Sequence, residues 1–148
     1  MTGIRVNLAD AFTTGDLDSY NFKDLNYLSD EQEKALASFI DSVEAGNPLV
    51  GKNKPSWLND DLVVLPYTSS YQELNYWHYH CGPSYSGTKV KNLTFDLALN
   101  LDGMTSAEVI HYTKEEDGSI TVVAFSPEHV PFPSSDDPMQ PNPLFDDE

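Results

Sequence analysis

Apolar residues recur at helical spacing over residues 30–45. Four of them, at i, i+3, i+4 and i+7, form one continuous stripe: Leu36, Phe39, Ile40 and Val43. Ser29 is a natural N-cap, and Gln32 three positions later completes a capping box. Gly46 provides a left-handed stop, and Pro48 prevents the helix from starting again. The pattern predicts one amphipathic helix that packs on a core.

Three kinds of pattern predict strands in the rest of the chain: alternating apolar and polar residues, a short apolar run at 62–65 expected to be buried, and an aromatic-rich run at 74–80 with β-prone residues on both faces. The expected strands are a short one at Ile4, Val6 and Leu8 and others at residues 62–65, 74–80, 93–101, 108–112 and 120–125. Asp117-Gly118 between the last two is a strong hairpin signal. Residues 47–61 are expected to form a loop. The predicted fold class is α+β: a small antiparallel sheet with one main helix packed on it.

The chain divides by composition into a body and a tail. Residues 1–133 are expected to form a single α+β domain, in which residues 1–28 are either an irregular arm or a segment packed on the sheet. Residues 126–148 hold six of the ten prolines and no Lys or Arg. We therefore expect residues 134–148 to be a disordered acidic tail that can order on a partner.

The chain is strongly acidic. Lys and Arg total 8 against 24 Asp and Glu, which gives a net charge of −16 at pH 7. Such a charge argues against general electrostatic binding to phosphate backbones and fits a partner for a basic surface or a mimic of nucleic acid. The single Cys81 excludes an intramolecular disulfide, and no apolar run approaches the roughly 18 residues of a membrane span. We expect a soluble cytoplasmic protein with no membrane partner.

Histidines supply the first candidate chemistry. His78 and His80 are two residues apart on one predicted strand, so both imidazoles lie on the same face, roughly 6–7 Å apart. His111 lies on a neighbouring strand of unknown register. Imidazoles suit general acid–base catalysis, because their ordinary pKa of about 6.5 allows both roles near neutral pH. The alternative is that they are half-exposed strand histidines hydrogen-bonded to their neighbours.

Lysines supply the second candidate chemistry. Lys89 and Lys91 share a strand face, and with Lys52 and Lys54 in the earlier loop they can form one basic patch beside the histidines. The alternative is that each is an ordinary solvated lysine.

No metal or cofactor is expected from the motifs. The H-x-H at residues 78–80 also occurs in the first cupin motif, but that motif needs a nearby Glu, and residues 81–85 contain no carboxylate. Cys81 faces the opposite side of the strand from His80, and a lone cysteine beside a turn is typically a small buried residue. The sequence also lacks a P-loop, G-x-G-x-x-G, G-x-S-x-G and C-x-x-C.

Over residues 25–139, the order of elements and several short strings resemble the YafO family of type II toxin–antitoxin toxins, relatives of RelE. The matching residues are Phe39-Ile40, Gly46-Asn47-Pro48-Leu49, Gly51, Asp60-Asp61, His78-Tyr79-His80, Glu108-Val109-Ile110-His111-Tyr112, Pro127-Glu128, Asp136 and Met139. The resemblance implies a RelE-like fold and ribosome-dependent cleavage of mRNA, held off by a bound antitoxin.

The resemblance also implies roles for the candidate residues. In this chemistry the RNA 2′-OH attacks the adjacent phosphate, a base removes its proton and an acid protonates the leaving oxygen. His78, His80 and His111 would be the acid–base candidates, and Lys89 and Lys91 would stabilise the developing charge. No metal is required.

The chain departs from the family in its charge. Such toxins usually carry a basic C-terminal segment, whereas residues 134–148 are acidic, and residues 10–30 form an acidic insertion. A second class of function therefore stays open: a non-enzymatic acidic inhibitor, such as a phage anti-defence protein, a nucleic-acid mimic or an immunity-type protein. Its partner would be a basic toxin or a basic nucleic-acid-binding protein.

Overall fold

The computed structural model describes residues 4–15, 23–58, 61–82, 84–86, 93–95 and 97–127. In chain order the elements are β1 Val6–Leu8, α1 Asp10–Thr14, a 3-10 turn Leu25–Tyr27, α2 Asp30–Ala45, β2 Asn53–Pro55, α3 Ser69–Glu73, β3 Tyr76–His80, β4 Tyr85–Ser86, β5 Thr105–Ser106, β6 Val109–Lys114 and β7 Ile120–Ser126. The predicted tail, Lys89 and Lys91 lie outside the described residues.

Five strands form the main sheet, in the order β1-β7-β6-β3-β2, and β4 and β5 form a separate two-stranded pair. All neighbours in the main sheet are antiparallel except β1 and β7, which run parallel with Val6 opposite Ile120. The α+β class is confirmed, but the sheet is mixed rather than purely antiparallel. The apolar alternation at Ile4, Val6 and Leu8 indicated a strand without indicating its partner or direction.

Helix α2 confirms the sequence prediction in detail. The Ser29 hydroxyl accepts a hydrogen bond from the Gln32 backbone at 3.2 Å, and the Gln32 side chain accepts one from the Ser29 backbone at 2.8 Å. Gly46 ends the helix with a φ of 77°. The Phe39 ring contacts two sheet tyrosines, with centroids 5.1 Å from Tyr79 and 6.0 Å from Tyr112. The apolar stripe of α2 therefore covers one face of the sheet.

The predicted C-terminal hairpin is also confirmed. Strands β6 and β7 are joined by a turn in which Gly118 has a φ of 92° and Glu115 donates its N–H to the Ser119 carbonyl at 2.8 Å. The pairing shifts between His111 and Tyr112, where β7 contributes one extra residue. Because of this bulge, the register across β6 and β7 could not be counted from the turn.

Two predicted strands are wrong. Residues 62–65 expose 37–57% of their surface instead of being buried, and Leu62 has a φ of 62°. The described residues of 93–95 and 97–101 make only isolated bridges, such as Thr94 with Leu49, and Leu97 has a φ of 56° where a strand needs a negative value. Leu97 is nevertheless buried, whereas Phe95 and Leu99 are exposed, so the described part of this segment supplies one apolar residue to the core without forming a continuous ladder.

Strand β2 was not predicted, because its sequence Asn53-Lys54-Pro55 is polar and contains proline. It lies at the end of the strand order in the main sheet, a position where proline is tolerated. Its residues pair with β3, with Lys54 opposite His78. Tyr112 on β6 donates its hydroxyl proton to the Asn53 side chain at 2.7 Å, which further fixes β2 to the sheet.

The capping box gives a direct test of α2. Ser29→Ala removes the side-chain acceptor and should lower the free energy of unfolding by about 1 kcal/mol. Urea denaturation measures this difference. Ser38→Ala, on the exposed part of the same helix, is the control and should change stability by less than about 0.5 kcal/mol. Equal effects of the two substitutions would contradict the role of the cap.

Lys114 is a partly buried cation at the end of β6. Its Nζ lies 3.5 Å from the Trp77 ring centroid and donates to the Leu97 carbonyl at 2.7 Å. Burial lowers the pKa of Lys114 from 10.5 to about 8. Between these two pH values the unfolded chain binds more protons than the folded chain, so this residue makes stability rise with pH.

We expect this rise to disappear in Lys114→Met. The stability of the unaltered chain relative to Lys114→Met should be constant below pH 8 and should increase from about pH 8 to about pH 10.5. Urea midpoints over this range measure it, and the comparison cancels the ionisation of tyrosines common to both chains. Lys34→Met on exposed α2 is the control. A difference that stays flat up to pH 10.5 would contradict the lowered pKa.

Candidate functional site on the histidine face

The sheet face opposite α2 carries all three sheet histidines. His78 pairs directly with His111 across β3 and β6, and His80 lies two residues further along β3. The ring centroids of His78 and His80 are 5.9 Å apart, and those of His78 and His111 are 6.2 Å apart. His78 and His80 share a face, as their spacing predicts, and the register adds His111 to it. We call this surface the histidine face.

A serine contacts each imidazole. The Ser56 hydroxyl lies 3.1 Å from His78 Nδ1, and the Ser126 hydroxyl lies 2.6 Å from His111 Nε2. His80 Nδ1 lies 3.0 Å from the backbone nitrogen of Ser106 and 2.9 Å from its carbonyl oxygen. The three imidazoles are 0–4% exposed, so the alternative of half-exposed strand histidines is wrong about their exposure, although their hydrogen bonds to neighbouring residues are present.

These partners accommodate both protonation states of an imidazole. A serine hydroxyl can donate to an unprotonated ring nitrogen or accept from a protonated one. The Ser106 backbone offers His80 the same choice, because its N–H donates to a neutral Nδ1 and its carbonyl accepts from a protonated Nδ1. The serine contacts therefore hold each ring without selecting one protonation state.

Two lysines also lie on the histidine face: Lys54, which is in β2, and Lys52, which immediately precedes this strand. Lys54 pairs with His78, and the Lys52 carbonyl accepts the His80 backbone N–H at 2.9 Å. Both lysines are 8% exposed. Side chains two residues apart on a strand share a face, so Lys52 and Lys54 lie on the same side as the histidines. Half of the predicted basic patch is therefore in place, and Lys89 and Lys91 lie outside the described residues.

The histidine face is closed in this structure. At one end, α3 places Tyr71 against Tyr76, with ring centroids 5.5 Å apart. At exposures of a few per cent, the imidazoles cannot contact a substrate until the layer over them moves. The geometry thus assembles groups capable of acid–base chemistry but keeps them covered.

The serine partners are residues that the sequence pattern did not single out. Ser126 is brought to His111 by the shifted pairing of β6 and β7, and Ser106 belongs to the short strand β5. Ser56 immediately follows β2, a strand hidden by its polar composition. In the sequence, Ser56 lies two residues after Lys54. That spacing places both side chains on one face only if the segment is a strand, and the sequence did not predict β2.

A separate pocket lies on the α2 side of the sheet. Its volume is about 190 Å³, and its lining includes Ser38, Ser42, Tyr79, Cys81 and Tyr85. Burial raises the pKa of the Cys81 thiol above its usual range and raises the pKa of Tyr85 to about 12. Since the thiolate is the reactive form of cysteine, this pocket does not hold an activated nucleophile. The expectation of a buried Cys81 is confirmed.

Within the described ranges, no three His, Cys, Asp or Glu side chains form a group that could hold a metal ion. Among the helices described, none has the length and apolar character needed to cross a bilayer. No family model, curated protein or solved structure matches this chain. The function must therefore be inferred from the site itself.

The hydrogen bond between Ser126 and His111 gives a stability test of the histidine face. Ser126→Ala removes the hydroxyl from a buried imidazole and should lower the free energy of unfolding by about 1–3 kcal/mol. Urea denaturation measures this, with exposed Ser69→Ala as the control. If Ser126→Ala changes stability no more than the control does, the serine contact does not support the imidazole.

Proposed function

We propose that the chain is a YafO/RelE-like toxin, a ribosome-dependent endoribonuclease that cleaves mRNA and inhibits translation. The observation that carries the proposal is the grouping of His78, His80, His111, Lys52 and Lys54 on one sheet face. Imidazoles can supply the general acid and base of metal-independent RNA cleavage, and ammonium groups can stabilise the charge that develops on the phosphate. The resemblance to the family in the H-x-H strand and the C-terminal hairpin supports the same function.

The proposed reaction uses two imidazoles in complementary roles. One accepts the proton of an RNA 2′-OH while the 2′-oxygen forms a bond to the adjacent phosphorus. The bond from phosphorus to the 5′-oxygen breaks, and a second, protonated imidazole donates its proton to that oxygen. The products are a 2′,3′-cyclic phosphate and a 5′-hydroxyl, and the reaction as written uses no metal ion.

The lysines have a separate role in this proposal. Negative charge builds up on the phosphate oxygens as the fifth bond to phosphorus forms, and nearby cations stabilise it. Lys52 and Lys54 are the described ammonium groups beside the histidines, and Lys89 and Lys91 remain candidates for the same role.

The acidic surface is compatible with RNA binding if charge is segregated. Helix α2 lies on the opposite side of the sheet and exposes five acids: Asp30, Glu31, Glu33, Asp41 and Glu44. These groups repel phosphates, whereas the histidine face attracts them. RNA would thus approach from one side only. An antitoxin that binds the chain would control the activity.

The catalytic proposal is tested with His80→Gln. Loss of a general acid or base should slow mRNA cleavage at least about 100-fold, because such groups typically contribute 10²- to 10⁴-fold. Primer extension on mRNA in a translation extract measures cleavage, and induction without an antitoxin should arrest growth for the unaltered chain only. His129→Gln, outside the described residues, is the matched control. A urea denaturation curve like that of the unaltered chain shows that His80→Gln is folded.

Two results would contradict the proposed endoribonuclease activity. One is cleavage by folded His80→Gln at the rate of the unaltered chain. The other is the absence of both cleavage and growth arrest when the unaltered chain is induced without an antitoxin.

A non-enzymatic acidic inhibitor is the second candidate function. The observation that favours it is that the three imidazoles are buried in contact with serines while the acids of α2 are exposed. In this case the exposed carboxylates would replace phosphates on a basic nucleic-acid-binding protein. Binding to that partner should weaken with salt and on amide replacement of the α2 acids, and should be unaffected by His80→Gln.

A further inference from the structure

The pocket on the α2 side of the sheet has a buried floor and an exposed rim. Four buried side chains form its floor: Phe39, Leu49, Tyr79 and Cys81. Three exposed residues form its rim: Ser38, Pro48 and Val50. The pocket is therefore open to solvent at one end and largely apolar at the other. It is separate from the histidine face, which lies on the other side of the same sheet.

Small side chains of α2 keep this pocket open. Ala35, Ser38 and Ser42 line it and are three and seven residues apart, so they lie on one face of the helix. Longer apolar side chains at these positions would fill the space between the helix and the sheet. A well-packed protein interior leaves few voids larger than a water molecule, so the space is larger than an ordinary packing gap.

The size of the pocket selects small ligands. Its volume is about 190 Å³. Pockets for drug-sized molecules begin at roughly 300 Å³, whereas an apolar cavity of about 150 Å³ can hold benzene. The pocket therefore fits one ring with a small substituent. Phe39, Tyr79 and Tyr85 line it, and aromatic rings pack well in offset or edge-to-face contact with other rings, so an aromatic ligand suits it best.

Tyr85 gives the pocket a fixed hydrogen-bonding group. Its ring packs on Gly82, where an added Cβ would collide with it, and its backbone pairs with Ser106 between β4 and β5. The Tyr85 and Tyr79 hydroxyls are hydrogen-bonded, and Tyr79 also accepts the Gly51 N–H at 3.0 Å. Because Tyr79 accepts that N–H, it can donate its own proton to Tyr85. The Tyr85 O–H can then donate to a ligand oxygen.

The pocket favours a neutral ligand. Its lining, which lies entirely within the described residues, contains no Lys, Arg, His, Asp or Glu. Burial raises the pKa of the Tyr79 hydroxyl and of the Cys81 thiol above their usual ranges, so both stay uncharged. The nearby Glu108 carboxylate repels anions, and it already accepts the Ser84 N–H at 3.0 Å and the Ser84 hydroxyl at 2.8 Å. A charged ligand would lose hydration on the apolar floor without gaining a counter-ion.

We propose that this pocket binds a neutral molecule with a single aromatic ring and a hydrogen-bond acceptor, such as an aryl alcohol. The ring lies on the floor against Phe39 and Tyr79, and the polar substituent accepts the Tyr85 O–H. Ser38 and Ser42 offer further hydroxyls near the opening. Binding here is independent of the proposed endoribonuclease function, because the candidate catalytic groups lie on the opposite side of the sheet.

Three probes of similar size test binding to the full chain: neutral benzyl alcohol, anionic benzoate and cationic benzylammonium. Proton–nitrogen correlation NMR spectra at increasing probe concentration measure affinity from the backbone signals of the pocket residues. We expect saturable shifts with benzyl alcohol and a Kd on the order of 1 mM or below. Nuclear Overhauser effects from the probe should reach the rings of Phe39 and Tyr79. Benzoate and benzylammonium should bind at least about tenfold more weakly, because neither gains a counter-ion.

Two substitutions test the geometry of the pocket. Tyr85→Phe keeps the ring and removes the hydroxyl, so benzyl alcohol should bind about 2- to 10-fold more weakly. Ser38→Trp places a large side chain at the rim and should weaken binding at least about tenfold, because it occupies the volume that the probe needs. Ala37→Trp is the matched control, since Ala37 is exposed on α2 and does not line the pocket. It should leave the affinity unchanged.

Urea denaturation shows whether each variant is folded. Ser38 is exposed, so Ser38→Trp tests the pocket even if Tyr85→Phe does not fold.

Three results would overturn the proposal. The first is the absence of saturable shifts at the pocket residues with benzyl alcohol. The second is an affinity for benzyl alcohol that neither Tyr85→Phe nor Ser38→Trp changes, which would show an adventitious additive only. The third is benzoate or benzylammonium binding as tightly as benzyl alcohol, which would assign the pocket to a charged ligand.

Discussion

The pairing of β3 with β6 is the constraint on which the rest of the structure depends. Side chains alternate along both strands, so one register places Tyr79 and Tyr112 against Phe39 of α2 and all three histidines on the opposite side. A slip of one residue would exchange the two sets and bury imidazoles under the helix. The same alternation therefore specifies the core and the candidate site.

The serine partners determine what the histidine face can do chemically. A carboxylate beside an imidazole would favour its charged form, and an apolar environment would favour its neutral form. The Ser56 and Ser126 hydroxyls and the Ser106 backbone accept either form. The serine contacts thus hold the three imidazoles in position on one face of the sheet.

Local signals in the sequence predicted the local parts of the fold. The cap, stripe and stop of α2 all lie within residues 29–46, and Asp117-Gly118 lies within its own hairpin. The leucine alternation at 93–101 failed because period two does not reveal the positive φ of Leu97. The serine partners could not be predicted, because Ser126 depends on a bulge and Ser56 on a strand that contains proline. The shared face of His78 and His80 was predictable, since it needs only one strand.

The polar content of the histidine face is itself an argument for chemistry or binding. A sheet face closed only for stability would be filled with apolar side chains, because replacing buried charges by hydrophobic residues of similar volume is often neutral or stabilising. Here three imidazoles and two lysines occupy the positions where β2, β3 and β6 could carry valine or isoleucine. The other face of the same sheet shows that alternative, with Ile110 and Val122 under α2.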